Sequence, residues 1–171
     1  MAAAAAEATT DGGGKTIILI SADGKRFEVP ETVASQSQLI SNMIEDDCTD
    51  NGVPLPNVDS DILAMVVDYC NMHAGDAGAG DDAAKESNAE ELKKFDAELV
   101  QALDNPVLFK LILAANFLNI KSLLDMTCQR VADMLAGKTP EQMRETFSIE
   151  NDFTPEEEAA IRQENAWAFD D

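Results

Sequence analysis

The strand signals of this chain are confined to its first third, and that constrains its fold more than any other feature. Lys15 to Ile20 is a run rich in β-branched residues, Ala22-Asp23-Gly24-Lys25 reads as a turn, and Arg26 to Val29 is a second extended segment. Two such runs around a Gly-containing turn predict a β-hairpin. Pro30 ends the second strand. Asn51-Gly52 turns the chain again, and Val53-Pro54-Leu55-Pro56 can add only a short edge strand, because proline cannot donate to a ladder. The sheet must therefore be small, and helices have to supply most of the core.

The helical period dominates elsewhere. Ser37 to Glu45 places Leu39, Ile40, Met43 and Ile44 on one face. A second helix runs from Ser60 with Ile62, Met65, Val66, Tyr69 and Cys70 on one stripe, and ends before Gly75. Ala74 to Ser87 is Ala, Gly and Asp without a large apolar residue, which predicts a flexible insert. Glu90 to Leu103 then carries Leu92, Phe95, Leu99 and Leu103. In the next helix, over 105–118, Asn105 is the expected N-cap and Pro106 the first helical residue, and its apolar set is dense enough for a fully buried helix. Ile120 to Ala136 repeats the stripe, with Gly137 where a left-handed cap belongs. Two further helices open at Thr139-Pro140-Glu141-Gln142 and Thr154-Pro155-Glu156-Glu157. Each has Thr at the cap, Pro at the first position and Gln or Glu at the third, which is the capping-box pattern.

Charge narrows the function. Across 171 residues, 33 Asp and Glu face 12 Lys and Arg, a formal charge of −21. A surface this negative repels phosphate backbones and anionic lipid, so proteins are the expected partners, not nucleic acid or membranes. Hydrophobic residues still make up 45% of the chain, enough for a packed domain. No apolar run approaches the roughly 18 residues that a membrane helix needs. Residues 1–14, rich in Ala, Thr and Gly and without a basic residue before Lys15, read as a disordered lead-in and not as a targeting peptide. Cys48, Cys70 and Cys128 are an odd, widely spaced set without a CxxC pair. They predict reduced, buried thiols in the cytoplasm or nucleus, and no metal site.

Catalytic and cofactor motifs are weak or fail. His73 is the one histidine, and it lies at a helix end where a cation complements the dipole. Gly137-Lys138-Thr139 resembles the end of a phosphate-binding loop, but Ala132 stands at the first glycine position and helix precedes it where a strand is needed. Lys138 reads as a helix C-terminal cation instead. Gly14-Lys15-Thr16 fails likewise, with Thr9 at that position. Asp81-Asp82 and Glu45-Asp46-Asp47 lack the alternating ligand spacing of a calcium loop. No catalytic residue, metal or cofactor is expected. The C-terminal section differs: Phe147, Ile149, Phe153, Ile161, Trp167 and Phe169 are spread over short helices embedded in acid. They either pack back on the helix Ile120 to Ala136 or line an exposed apolar groove that anchors a partner helix.

Several segments in order, SADGKRFEV, EDDCTDNGVPLPNV, LILAANFLNIKSLLD, GKTPEQMRETF and NDFTPEEEAAIRQENAW, together closely resemble the S-phase kinase-associated protein one family. These are the adaptor subunits of SCF (Skp–cullin–F-box) ubiquitin ligases. The resemblance runs from about Lys15 to Phe169 and is closest to plant members. It implies an α/β (α+β), mostly helical chain with a BTB/POZ-type fold over 15–136, a flexible acidic insert at 74–89, and a helical C-terminal extension over 137–171 that completes the F-box-binding surface. It also implies a non-catalytic bridge between cullin-one and F-box substrate receptors, working indirectly with the RING subunit and the ubiquitin-conjugating enzyme, in nucleus and cytoplasm.

Carried over residue by residue, the resemblance assigns cullin contacts to Asn116 and Phe117, with Met43 and Ile44 as further candidates. It assigns F-box contacts to Ile120, Leu123, Leu124, Cys128, Val131, Ile149, Phe153, Ile161 and Trp167. Phe117 stands where the family usually has Tyr, which removes a hydroxyl from the cullin-facing position. Asp104 to Val107 replaces the usual stretch before the helix, and Ala166 replaces the usual Gln before Trp167. The alternatives are a self-associating BTB scaffold that does not engage cullin, against which the C-terminal helices argue, and an enzyme with an unrecognised site, against which the single histidine argues.

Overall fold

The computed structural model describes residues 15–74 and 82–168, with the backbone alone for 82–88 and 168. Strands β1 (Thr16–Ser21) and β2 (Arg26–Pro30) form the expected antiparallel hairpin, with Thr16 opposite Pro30 and Ile18 opposite Glu28. Gly24, at φ +81°, takes the left-handed turn position that a side chain would disfavour. Helices α1 (Glu31–Ala34) and α2 (Gln38–Glu45) follow, and then β3 (Val53–Leu55). It pairs parallel to β1, which completes a sheet of order β2-β1-β3 with β3 at the edge, where Pro54 is tolerated. Gly52 is needed for this approach. Its φ is +84°, and a Cβ there would meet Ile20 Cδ1 at 3.1 Å and the Ile18 carbonyl at 3.3 Å.

The helices α3 (Ser60–Ala74), α4 (Asp82–Ala102), α5 (Asn105–Leu118) and α6 (Lys121–Leu135) cover the sheet or continue from it. Two short ones complete the chain, α7 (Pro140–Phe147) and α8 (Pro155–Glu164), with a single 3₁₀ turn at Ala166–Ala168. Helix α4 begins earlier than the expected Glu90. Residues 82–89 of the predicted insert are helical, consistent with the Ala, Lys and Glu they contain, while 1–14 and 75–81 lie outside the described residues.

Side chains from all three strands and from α1, α2, α3, α5 and α6 form one core, in which Ile17, Val53, Leu63, Leu111, Ala115 and Leu123 are fully buried. Helix α3 is anchored to the hairpin turn by a contact 37 residues long in sequence. The Asp23 carboxylate accepts from the Ser60 backbone N–H at 2.9 Å and from its hydroxyl at 2.6 Å. Those bonds, and one from Ser21, hold the Asp23 pKa down at about 2. His73, in the last turn of α3 as expected, does more than complement a dipole. Its Nε2 lies 2.9 Å from Asp96 Oδ1 on α4, and its ring lies 4.2 Å from that of Tyr69.

Three sequence expectations are corrected. The N-cap of α5 is Asp104, whose carboxylate accepts from the Val107 N–H at 3.1 Å, and not Asn105. Both residue types cap well, and Pro106 is compatible with either register. Helix α5 is not fully buried, since Phe109 and Leu113 are exposed. Of the three thiols only Cys70 is buried; Cys48 and Cys128 are exposed. Lys138 follows the end of α6, as expected, and its ammonium also donates to the Thr146 hydroxyl on α7 at 2.6 Å.

The chain divides into two compact units, with the boundary between Val131 and Ala132, inside α6.

Candidate functional site

In the N-terminal unit, Ser37 joins the two helices that carry the expected cullin residues. Its hydroxyl donates to the Leu118 carbonyl at the end of α5 (2.5 Å) and accepts from the Ile40 N–H as the cap of α2 (3.3 Å). Asn119, left-handed at φ 53°, then closes α5, and the Gln38 N–H reaches its carbonyl at 3.5 Å. This knot brings the start of α2 against the end of α5. Asn116 is exposed on α5, while Phe117, Met43 and Ile44 are half-buried against the core. Leu113 and Phe109 continue the Asn116 face up α5 at helical spacing, and Leu113 is 67% exposed. Sequence reasoning missed both. The signal was there, because the apolar residues of α5 wrap too far round the helix to face one core. Glu45, Asp46, Asp47 and Asp50 supply exposed acid next to Met43 and Ile44.

Helix α6 presents the first group of expected F-box residues, and it sorts them. Ile120, just before the helix, and Leu123 within it are buried in the core, so in this fold they support the surface instead of forming it. Thr127 extends the same inward stripe, with its hydroxyl bonded back to the Leu123 and Leu124 carbonyls at 2.8 and 3.0 Å. Leu124, Cys128 and Val131 follow at the i, i+4 and i+7 positions of another face. Leu124 and Val131 are half-buried there and Cys128 is exposed.

The C-terminal unit holds the second group. Thr139 and Thr154 form the two expected capping boxes, each accepting from the third helical N–H at 3.3 Å, with Gln142 and Glu157 bonding back to the caps. Arg162 pairs with Glu141 and, at 3.4 Å, with Glu158, which in turn lies 3.5 Å from Arg144, so α7 and α8 are linked by charge. No described residue of this unit is buried. Its large apolar side chains stand open: Trp167 is 77% exposed and Ile149 57%, and Phe153 and Ile161 are exposed as well. Phe147 is half-buried, and Phe169 lies outside the described residues. Exposed Glu150, Asp152, Glu156 and Glu157 lie close to Ile149 and Phe153 in sequence.

The perturbed ionisable groups of the described residues do not assemble into a reaction centre. Burial pushes the Cys70 thiol up to about 12 and raises the Tyr69 phenol, which removes the thiolate a nucleophile needs. The void beside Cys70 in the core is only about 10 Å³, no more than a water-sized space. A closed core in the N-terminal unit, and open apolar side chains with exposed acid near them in sequence in each unit, are the anatomy of a protein-interaction module.

Family comparison agrees. The model described as the Skp1 family tetramerisation domain matches residues 15–75, and that described as the Skp1 family dimerisation domain matches 121–168. SKP1-like protein 1A of Arabidopsis thaliana is 56% identical over 158 residues, covering 91% of this chain and 98% of that protein. SKP1-like protein 1 of Oryza sativa subsp. japonica is 57% identical over 171 residues, covering 94% and 98%. The chain belongs to the Skp1 family, the non-catalytic adaptor subunits of SCF ubiquitin ligases, whose partners are F-box proteins and cullin-one. Its BTB-like, mostly helical fold is the one the sequence implied.

Proposed function

We propose that this chain works without catalysis of its own, as a bridge whose separate faces take separate partners. Asn116 and Phe117, with Met43 and Ile44 beside them, engage cullin-one. Leu124, Cys128 and Val131 on α6 form one F-box-binding patch, and Ile149, Phe153, Ile161 and Trp167 form another in the C-terminal unit. The observation that carries this reading is the set of four exposed large apolar side chains in a unit with no buried residue among those described. Apolar surface of that kind is characteristic of partner-binding faces. The gain for ubiquitin transfer is effective concentration, since the adaptor holds substrate receptor and ligase scaffold in one assembly.

Co-expression with an F-box domain and a cullin-one N-terminal fragment, followed by size exclusion, tests the reading. A ternary complex is expected, and Asn116→Glu should remove cullin-one while sparing the F-box domain. Failure of both partners to co-elute would overturn it. The family models' own descriptions, dimerisation and tetramerisation, favour a second reading, a self-associating scaffold. Light scattering on the isolated chain distinguishes the two. Like-charged copies, each at −21, should associate less at low salt than at high salt.

A further inference from the structure

The N-terminal unit carries a cleft that neither assigned face uses. About 510 Å³ in volume, it lies between α3 and the N-terminal half of α5, on the far side of Lys110 from Asn116 along the helix. Its floor is apolar, with Ile62 and Met65 from α3 and Val107 from α5. Its walls are charged. The Lys110 ammonium lies 2.9 Å from Asp59 Oδ2, which holds the amine protonated and occupies that carboxylate. Asp61 and Asp68 are different. Both are exposed without a hydrogen bond or ion pair among the described residues, and Asp61 feels the Lys110 charge only through space.

The spacing gives these two carboxylates a use. Asp61, Ala64, Met65 and Asp68 occupy positions i, i+3, i+4 and i+7 of α3, so they share one face, with acid at both ends and apolar surface between. Seven residues of helix separate the acids by about 10 Å along the axis. The complement is a segment with a cation at each end of a short apolar stretch, which an amphipathic helix with Arg or Lys at i and i+7 and Leu at i+3 and i+4 supplies. Charge selects the source. A second copy of this chain brings −21 of its own, and a nucleic acid or anionic membrane brings phosphate, so the cation must come from another protein.

We propose that the α3–α5 cleft docks a basic amphipathic helix of a partner protein, with its two cations on Asp61 and Asp68 and its apolar residues over Met65 and Val107. This site stands apart from the cullin and F-box assignments and does not depend on them.

The test uses the full chain and a fluorescein-labelled model peptide of that pattern, read by fluorescence anisotropy and by amide chemical shifts. Binding should weaken as salt is raised, and shifts should centre on 59–68 and 107–110. The Asp61→Asn/Asp68→Asn double variant, changed only at exposed positions, should bind about tenfold more weakly. A peptide with Ser in place of Leu should bind weakly too, and spermidine, cationic but without apolar side chains, should compete poorly. Unchanged affinity of the double variant, equal binding of the Ser peptide, or shifts confined to other helices would each overturn the proposal.

Discussion

The two units of this chain keep their secondary structure by different means. In the N-terminal unit, a three-stranded sheet and five of the helices share one apolar core, and polar groups at its edges are bonded over long sequence distances, as Asp23 is to Ser60. In the C-terminal unit no described residue is buried, and what is ordered is local: two capping boxes and a cluster of Arg–Glu pairs. Burial of a large apolar side chain stabilises by about 2 kcal/mol, whereas an exposed ion pair contributes about 0.5 kcal/mol and a cap about 1 kcal/mol. The first unit is thus built to stand by its own packing. The second leaves its large apolar side chains Ile149, Phe153, Ile161 and Trp167 exposed.

The largest test of that contrast is a pair of truncations. Leu111→Ala, in the core, should lower stability by about 3 kcal/mol in chemical denaturation and leave a cavity that cannot collapse. Trp167→Ala should leave the denaturation midpoint unchanged and weaken F-box binding by about 2 kcal/mol, roughly 30-fold, with cullin-one binding intact. Equal loss of both partners, or a stability loss like that of Leu111→Ala, would show that Trp167 is packed and would erase the contrast.

A smaller effect sharpens it. Thr154→Ala removes one capping box and should cost about 1 kcal/mol of helix stability in the C-terminal unit, seen as reduced helical circular dichroism, without a shift in the main unfolding transition. Coupled loss of both transitions would mean the units do not differ as described.

Acid should act on the N-terminal unit through Asp23. Its folded pKa of about 2 lies below the ordinary value of 3.8, so its contribution is complete above about pH 4 and is lost as pH falls toward 2. The stability difference between the wild type and Asp23→Asn should be constant above pH 4 and shrink between pH 4 and 2. A difference independent of pH across that window would remove the carboxylate from the account. Thiol labelling gives the finest probe. Cys48 and Cys128 should react with a disulfide reagent in the native chain and Cys70 only after unfolding, because burial pushes its pKa up to about 12. On F-box binding, Cys128 should become protected and Cys48 should not.

Much of the fold was legible in the residue order. The hairpin, the edge strand and the Thr-Pro-Glu helix starts each depend on residues within a few positions of one another, and each stands where the pattern placed it. The helix over 105–118 was legible in extent but not in its surroundings. Its apolar density suggested burial on all sides, yet the core covers the side of Leu111, Ala114, Ala115 and Leu118, and leaves Leu113 open. Among the assigned partner residues, Ile120 and Leu123 share a helical face with Thr127 and face the core. Leu124 and Cys128, of similar apolar character, lie on another face. Composition cannot separate them, since each differs from its neighbour only by rotation about α6.

What the sequence determined by itself was therefore local: the hairpin and edge strand, the turns at Gly24 and Gly52, the two capped C-terminal helix starts, and an acidity that turns the chain toward protein partners. Only the tertiary structure decided which apolar faces were covered, which thiols were reachable and which carboxylate capped α3. Those outcomes depend on groups far apart in the chain, and a side chain is buried or exposed according to what packs against it, which no short window of sequence contains.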